Sequence, residues 1–397
     1  MRALEGKHIV LGVSGSIACY KAVDLASRLT QGGALVDVIM TESATRFVTP
    51  LTFRNITHRP VVTDAFDLSS EMSLQHVVLA ERADVIVVAP ATANTLAKFA
   101  HGLADDALSM TVLASRAPVL VAPAMDGHMW QNPATFDNAT QLIERGFTIV
   151  GPAEGRMASG LVGLGRLVEP AELMGHITAL LGRTGDLAGR KIVVSAGGTQ
   201  EPIDPVRVVA NRSSGKMGYA VAEAARDRGA TVVLVAAPTV LDDPAAIEMV
   251  RVGTALQMHD AVLHHSSDAD ALVMAAAVAD YRPEAPADQK VKKKTEGWTL
   301  QLAPTLDILA AAARPGLISV GFAAESQSLV EHARGKLQAK GLHLIVANDI
   351  TDPDSGFGVD TNRVTFLDRN GLVEEMPLLT KYEVAHQILD RVVEWLG

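Results

Sequence analysis

Apolar residues come along this chain in short blocks, each closed by glycine or small polar residues and followed by apolar positions three and four apart. In the N-terminal half the blocks are His8–Val13, Leu35–Met40, Asp84–Pro90, Pro118–Ala124 and Phe147–Pro152. Continuous Val/Ile/Leu/Ala runs of this length suit parallel strands buried on both faces. Between the first two blocks, Cys19–Thr30 places Ala22, Val23, Ala26 and Leu29 on one side, the spacing of a helix that covers a sheet. The alternation predicts a doubly wound α/β layer with ligands at the carboxyl ends of its strands.

The pattern then restarts. Pro170–Leu181 reads as a closing helix, Gly182–Gly189 as a short polar connector, and new strands follow at Lys191–Ala196, Thr231–Ala237, Ala271–Val278, Leu317–Ala323, Leu344–Ala347 and Arg363–Asp368. The halves share an architecture but no repeated motif, so two different Rossmann-like α/β domains are expected, 1–187 and 188–397.

Composition narrows the classes. Apolar residues make up 48% of the 397 residues and charged residues 20%, enough for two cores. A formal charge of -10 argues against non-specific nucleic-acid binding. No apolar run reaches the ~18 residues of a membrane span. One cysteine, Cys19, leaves no intrachain disulfide and suits a reducing compartment, so a cytoplasmic protein is expected. Ser16-Ile17-Ala18-Cys19 loosely resembles a lipoprotein cleavage site, but Glu5 and His8 interrupt the basic region before it, and a first strand with a phosphate loop accounts better for the same residues.

Gly12-Val13-Ser14-Gly15-Ser16-Ile17-Ala18 follows the first strand and opens a helix, where small residues and oriented N–H groups can receive an anion, with the Ser14 and Ser16 hydroxyls as added donors. It matches neither the dinucleotide nor the nucleoside-triphosphate fingerprint, and a plain strand–helix turn accounts for it equally well. Ala89-Pro90-Ala91-Thr92-Ala93-Asn94-Thr95 ends another strand, where Asn94 and Thr95 could simply cap a helix. Ala122-Pro123-Ala124-Met125-Asp126-Gly127-His128-Met129-Trp130 and Gly155-Arg156-Met157-Ala158-Ser159-Gly160 complete the set. In this order, from about His8 to Pro170, the strings resemble the flavin-dependent cysteine decarboxylases. The resemblance implies a flavodoxin-like domain holding FMN through Ser14, Gly15, Ser16, Thr41, Ser43, Thr92, Ala93 and Asn94. It makes His76 the catalytic base, although a lone histidine is ordinarily a surface or capping residue. Two positions depart from that family: Asp126 stands where Asn is usual, and Ser159 where a clamp Cys is the usual proton donor. A desolvated Asp126 with a raised pKa would supply the missing acid. A decarboxylase-like domain of altered or lost activity is the alternative.

In the C-terminal half the strings are Val194-Ser195-Ala196-Gly197-Gly198-Thr199-Gln200-Glu201-Pro202-Ile203-Asp204, Arg207, Asn211-Arg212-Ser213-Ser214-Gly215-Lys216-Met217-Gly218, Ala275-Ala276-Ala277-Val278-Ala279-Asp280-Tyr281, Lys290-Val291-Lys292-Lys293, Gly321-Phe322-Ala323-Ala324-Glu325 and Ala347-Asn348-Asp349. Ser213–Lys216 before the helical stretch Gly218–Arg228 could grip an anion, and the Lys290–Lys294 run is by default a solvated face. The set closely resembles phosphopantothenate–cysteine ligase. That resemblance implies CTP at Met274, Ala275, Ala276, Asp280, Lys290, Thr305, Leu306, Asp307, Ile308, Phe322, Lys336 and Lys340, with Mg2+ on Asp280. Asn211 would handle the acyl-nucleotide intermediate, and Lys290 would stabilise developing phosphate charge. His343 stands where the family often carries Asp. The joint expectation is a bifunctional enzyme of coenzyme A synthesis using phosphopantothenate, cysteine and CTP, assembled as a homo-oligomer, a dodecamer if decarboxylase trimers combine with ligase dimers.

Overall fold

The computed structural model describes residues 3–65, 75–293, 297–325, 329–349, 356 and 358–397. It falls into two compact units, Met1–Leu181 and Gly182–Gly397. Among the described residues no helix is long and apolar enough to cross a membrane.

The first unit holds strands β1 (His8–Val13), β2 (Leu35–Met40), β3 (Val61–Val62), β4 (Val85–Ala91), β5 (Val119–Pro123) and β6 (Thr148–Ile149). They form one parallel sheet in the order β3-β2-β1-β4-β5-β6. Without the two-residue edge strand β3 this is the flavodoxin-like order 2-1-3-4-5. Period-two alternation divides each strand between two buried faces. In β1, Ile9, Leu11 and Val13 enter one core and Val10 the other; in β4, Val85, Val87 and Ala89 oppose Ile86, Val88 and Ala91. The helix Cys19–Gln31 buries Ala22, Leu25, Ala26 and Leu29. The expected stripe was one position off, because the i, i+3, i+4, i+7 set from Ala22 runs through Leu25 and leaves Val23 half-buried. A hairpin, β7 (Ala153–Arg156) with β8 (Val162–Arg166), stands apart from the sheet.

In the second unit, β9 (Lys191–Ala196), β12 (Thr231–Ala236), β13 (Glu248–Arg251), β14 (Ala271–Met274), β17 (Ile318–Glu325), β18 (Leu344–Asp349), β20 (Val364–Asp368) and β21 (Val373–Glu375) build the main sheet. Its order is β13-β12-β9-β14-β17-β18-β20-β21, with β20 and β21 antiparallel. Two-stranded pairs join β10 (Gln200–Pro202) to β11 (Val208–Ala210), β15 (Tyr281–Pro283) to β16 (Leu302–Pro304), and β19 (Thr361–Asn362) to β22 (Leu379–Thr380). Strand β14 ends at Met274 rather than at the expected Val278, because 275–280 turns across the sheet end and bonds to side chains from other loops. The helix expected at Gly218–Arg228 starts earlier, at Lys216, behind Gly215 at φ +79°, a conformation that strongly favours glycine.

Candidate active sites

The order of the first sheet reverses between β1 and β4, and a cavity of about 460 Å³ opens beside those strand ends. Gly15, Ser16 and Thr92 line it, with Lys21, Asp126, Arg156, Ser159 and Arg166. Ser14 stitches the two strand ends together: its Oγ donates to Pro90 O (2.8 Å) and accepts from the Thr92 N–H (3.0 Å). Its only proton is therefore spent inside the fold, which corrects the expectation of a Ser14 hydroxyl donor to an anion; the Ser16 hydroxyl, among the described residues, is bonded only as acceptor from the Ala18 N–H and keeps its own proton. A Cβ on Gly15 would lie 2.4 Å from Ser43 Cβ, so only glycine lets these two loops meet. Thr92, not Asn94 or Thr95, caps the helix Ala93–His101, and Thr95 is buried against it. Thr41, Ser43, Ala93 and Asn94 lie at neighbouring strand and helix ends but do not line the cavity. Cys19 is buried beneath, its thiol pushed up by burial and bonded to Ser14 O (3.2 Å), which makes it unreactive.

The two departures meet. Ser159, in the β7–β8 turn, donates to Asp126 Oδ2 at 2.7 Å, while Asp126 Oδ1 accepts from the His128 N–H at the start of the short helix Gly127–Trp130. These two bonds, Ser159 first, hold the Asp126 carboxyl below its usual range. That direction runs against the raised-pKa acid expected at Asp126, which here is a half-buried acceptor that latches the hairpin. The latch is present above the ordinary carboxylate range and is lost as pH falls through the lowered pKa. Ser159→Ala is accordingly expected to speed protease cleavage within 157–161 severalfold at neutral pH and to abolish its acid dependence. Equal cleavage of variant and parent would show that no latch operates.

His76 sits at the start of the helix Gln75–Arg82 and does not line this cavity; its Nδ1 is buried with no hydrogen-bond partner among the described residues. Lys21 is a contact the motifs did not disclose. Although buried, it reaches Leu167 O (2.8 Å) and Glu169 (2.7 Å) at the edge of the cavity.

In the second unit the sheet order also reverses at β9, and a cavity of about 670 Å³ lies over the ends of β14 and β17. It collects Asn211, Met274, Ala275, Ala276, Asp280, Thr305, Leu306, Asp307, Ile308, Phe322, Lys336 and Lys340. Segment 275–280 is pinned from four sides. Ser195 accepts from the Ala276 N–H (3.1 Å), Thr199 accepts from the Ala279 N–H (2.9 Å), Thr305 donates to Ala279 O (2.6 Å) and Asn211 donates to Val278 O (3.1 Å). Asp307 caps the helix Ile308–Ala312 and pairs with Lys340 at 3.1 Å. Among the described residues no group of three or more His, Cys, Asp or Glu side chains could hold a metal ion, so Asp280 has no cage of such ligands.

Lys290 is exposed and does not line the cavity, and Lys294 of the same run lies outside the described residues. His343 also lies elsewhere. Its Nδ1 accepts from the Ser319 N–H (3.1 Å), and burial, aided by Arg369, pushes it down to about 4, a neutral packing residue. Two more lysines line the cavity, Lys216 of the Ser213–Lys216 loop and Lys381, which the motifs did not name. Lys216 reaches Gly358 O (2.9 Å) and Asp360 (2.7 Å); Lys381, buried, donates to the carbonyls of Gly356, Val359 and Thr361 at 3.0, 2.5 and 3.0 Å. Burial and the nearby Lys216 push Lys381 down to about 8. A sequence signal existed: a lysine opening a helix, here Lys381–Leu396, opposes the helix dipole and needs another reason to be there.

Known proteins resemble the chain throughout. Residues 1–182 match the family described as Flavoprotein, and residues 187–396 the DNA/pantothenate metabolism flavoprotein C-terminal domain. The chain is 45% identical over 394 residues to the coenzyme A biosynthesis bifunctional protein CoaBC of Bacillus subtilis (strain 168), covering 98% of this chain and 97% of the relative. It is 46% identical over 409 residues to the protein of the same name from Mycobacterium tuberculosis (strain ATCC 25618 / H37Rv), covering 98% and 97%. A solved structure of the C-terminal domain of a CoaBC protein is 40% identical and covers 53% of this chain and 98% of its own, with a TM-score of 0.46. With two curated relatives matched over nearly the whole of both chains, this chain belongs to the family of bifunctional coenzyme A biosynthesis enzymes.

Proposed function

We propose that residues 188–397 join 4'-phosphopantothenate to cysteine with CTP, and that residues 1–187 decarboxylate the product to 4'-phosphopantetheine with FMN. The observation that carries the ligase half is the convergence of Asn211, the pinned 275–280 segment, Asp280, Thr305–Ile308, Phe322, Lys336 and Lys340 on one cavity. The phosphopantothenate carboxylate attacks the α-phosphorus of CTP and pyrophosphate leaves. The cysteine amine then attacks the acyl carbon, CMP leaves, and the amide remains. Lys336 and Lys340 offset the triphosphate charge, Lys290 closes on the developing phosphate charge, and Asn211 holds the acyl-nucleotide. Asp280 suits Mg2+ as a single carboxylate, since that ion is commonly held by one or two carboxylates plus substrate phosphates.

FMN fits the first cavity: it lies at the switch point of a flavodoxin-like sheet, beside a glycine where a side chain would collide. Gly15, Ser16 and Thr92 would hold it, with Thr41, Ser43, Ala93 and Asn94 at its margins and Ser14 fixing the strand ends. FMN supplies the reversible hydride acceptance that makes carboxylate loss accessible. His76 takes the proton, and the Asp126–Ser159 hairpin encloses the substrate. Because His76 lies outside its own chain's cavity, it would serve a neighbouring copy, which favours a homo-oligomer, with the dodecamer of trimers and dimers as the assembly. Cys19, free and buried, suits the cytoplasm.

Incubating the protein with phosphopantothenate, cysteine, CTP and Mg2+ is expected to give phosphopantetheine by mass. A second reading, an active ligase beside an altered decarboxylase, is favoured by one observation, the Ser159 proton committed to Asp126. Accumulated phosphopantothenoylcysteine would select it, and no new product would end both. The purified chain is further expected to be yellow. Gly15→Ala, at an overpacking cost of roughly 1–3 kcal/mol, should weaken FMN binding about ten- to a hundredfold and spare ligation. Wild-type flavin affinity in that variant would remove the Ser14–Ser16 loop from the site.

A further inference from the structure

We infer that Asp204 and Arg207 are positioning residues for Lys290, fixing it through the backbone of its neighbour Val291. The inference rests on the assignment of Lys290 above and supplies what that assignment lacks, a means of placing an exposed lysine. Lys290, Lys292 and Lys293 repel one another, and nothing in their sequence orders them. The turn Ile203–Arg207 does. Asp204, with a fully buried side chain, accepts from the N–H groups of Val206 (2.9 Å), Arg207 (2.9 Å) and Val291 (3.1 Å). Arg207 forks between Asp204 Oδ2 (Nε 3.0 Å, Nη2 2.5 Å) and Val291 O (2.6 Å). Both backbone groups of Val291 are thus held by one half-buried ion pair.

Upstream, the Ala287 N–H donates to Ile203 O at 2.9 Å, so the segment is tied to the same turn twice. The Arg207 guanidinium also lies 4.8 Å above the Trp298 ring, which fixes its plane. With Val291 fixed, the Lys290 Cα is confined to one peptide length from it. The same stretch of chain holds the other side of the nucleotide site, since Thr199 accepts from the Ala279 N–H. Thr199–Arg207 is therefore one bracket that sets Lys290 against the 275–280 segment. The Arg207 contacts hold the Asp204 carboxyl far below its usual range, so the bracket keeps its charge at any working pH.

The experiment is a double-mutant cycle in the full-length enzyme, read as pyrophosphate release at saturating CTP, with decarboxylation of phosphopantothenoylcysteine as the check that the chain is intact. Asp204→Asn keeps the shape but turns an amide N–H toward the Val291 N–H. It is expected to lower kcat roughly ten- to a hundredfold, the cost of a misplaced group, with little change in KM for CTP. In a Lys290→Gln background the same change should cost less than about twofold. Arg207→Lys keeps the charge but not the fork, and reads the same coupling if Asp204→Asn folds poorly. Losses that multiply with a slow Lys290→Gln would overturn the positioning role alone, as would an Asp204→Asn enzyme at the wild-type rate. A Lys290→Gln enzyme at the wild-type rate would overturn the Lys290 assignment and this role with it.

Discussion

Replacing His76 with Asn is expected to cut CO2 release by about a hundred- to ten-thousandfold, the range lost with a general acid–base group, while flavin absorbance and ligation persist. An imidazole can take up and release a proton and an amide cannot, so Asn retains size and polarity but cannot carry the proton. The fold should tolerate the change. Among the described residues His76 Nδ1 has no hydrogen-bond partner, and its helix, Gln75–Arg82, packs mainly on the helix Ala107–Ala114. Loss of decarboxylation with intact ligation therefore reads chemistry rather than unfolding. Decarboxylation at the wild-type rate would make His76 a packing residue. Mixing His76→Asn with a Gly15→Ala chain should restore some activity if His76 serves a neighbouring copy. Absence of any recovery would place the base within its own chain.

Lys290→Gln is expected to slow pyrophosphate release about a hundredfold, the loss of one preorganised charge at a phosphate transition state. Gln nearly matches the reach of lysine, so the difference isolates charge. Lys336 and Lys340 already line the cavity, and Lys340 is paired with Asp307; their replacement should raise KM for CTP more than it lowers kcat. Asn211→Asp is a different case, because it acts after pyrophosphate has left, and acyl-CMP is expected to accumulate. Unchanged pyrophosphate release in Lys290→Gln would refute its role.

The sheets were legible because buried parallel strands carry their own signature, and His8–Val13, Leu35–Met40 and Lys191–Ala196 appear with the bounds that pattern predicts. The helical stripe was less so, since Val23 and Leu25 are equally apolar and only the three-dimensional phase decides between them. The motifs named most of the residues lining the second unit's cavity, because glycines, small residues and lysines there answer to local backbone and charge. They could not disclose Lys381 or Lys21, whose work is done on carbonyls far away in sequence. Nor could they show that Ser159 and Asp126, 33 positions apart, form one hydrogen bond, or that the Ser14 hydroxyl serves two strands instead of a ligand.

Lys381 opens the helix Lys381–Leu396, whose Val384, Ala385, Ile388, Leu389 and Val392 fill one face of the second core. That helix leaves the ribosome after every other part of the cavity it completes. The first unit, with its own sheet and cores, can fold while the second is still being made, in the N-to-C order usual for domains. During synthesis the chain thus passes through a stage with a finished flavoprotein half and a ligase half whose sheet lacks one covering layer and whose Gly356, Val359 and Thr361 carbonyls still wait for Lys381. The first of the two reactions in the pathway is the last to become available on each new molecule, and shortening the chain from its C-terminal end should silence ligation before it touches decarboxylation.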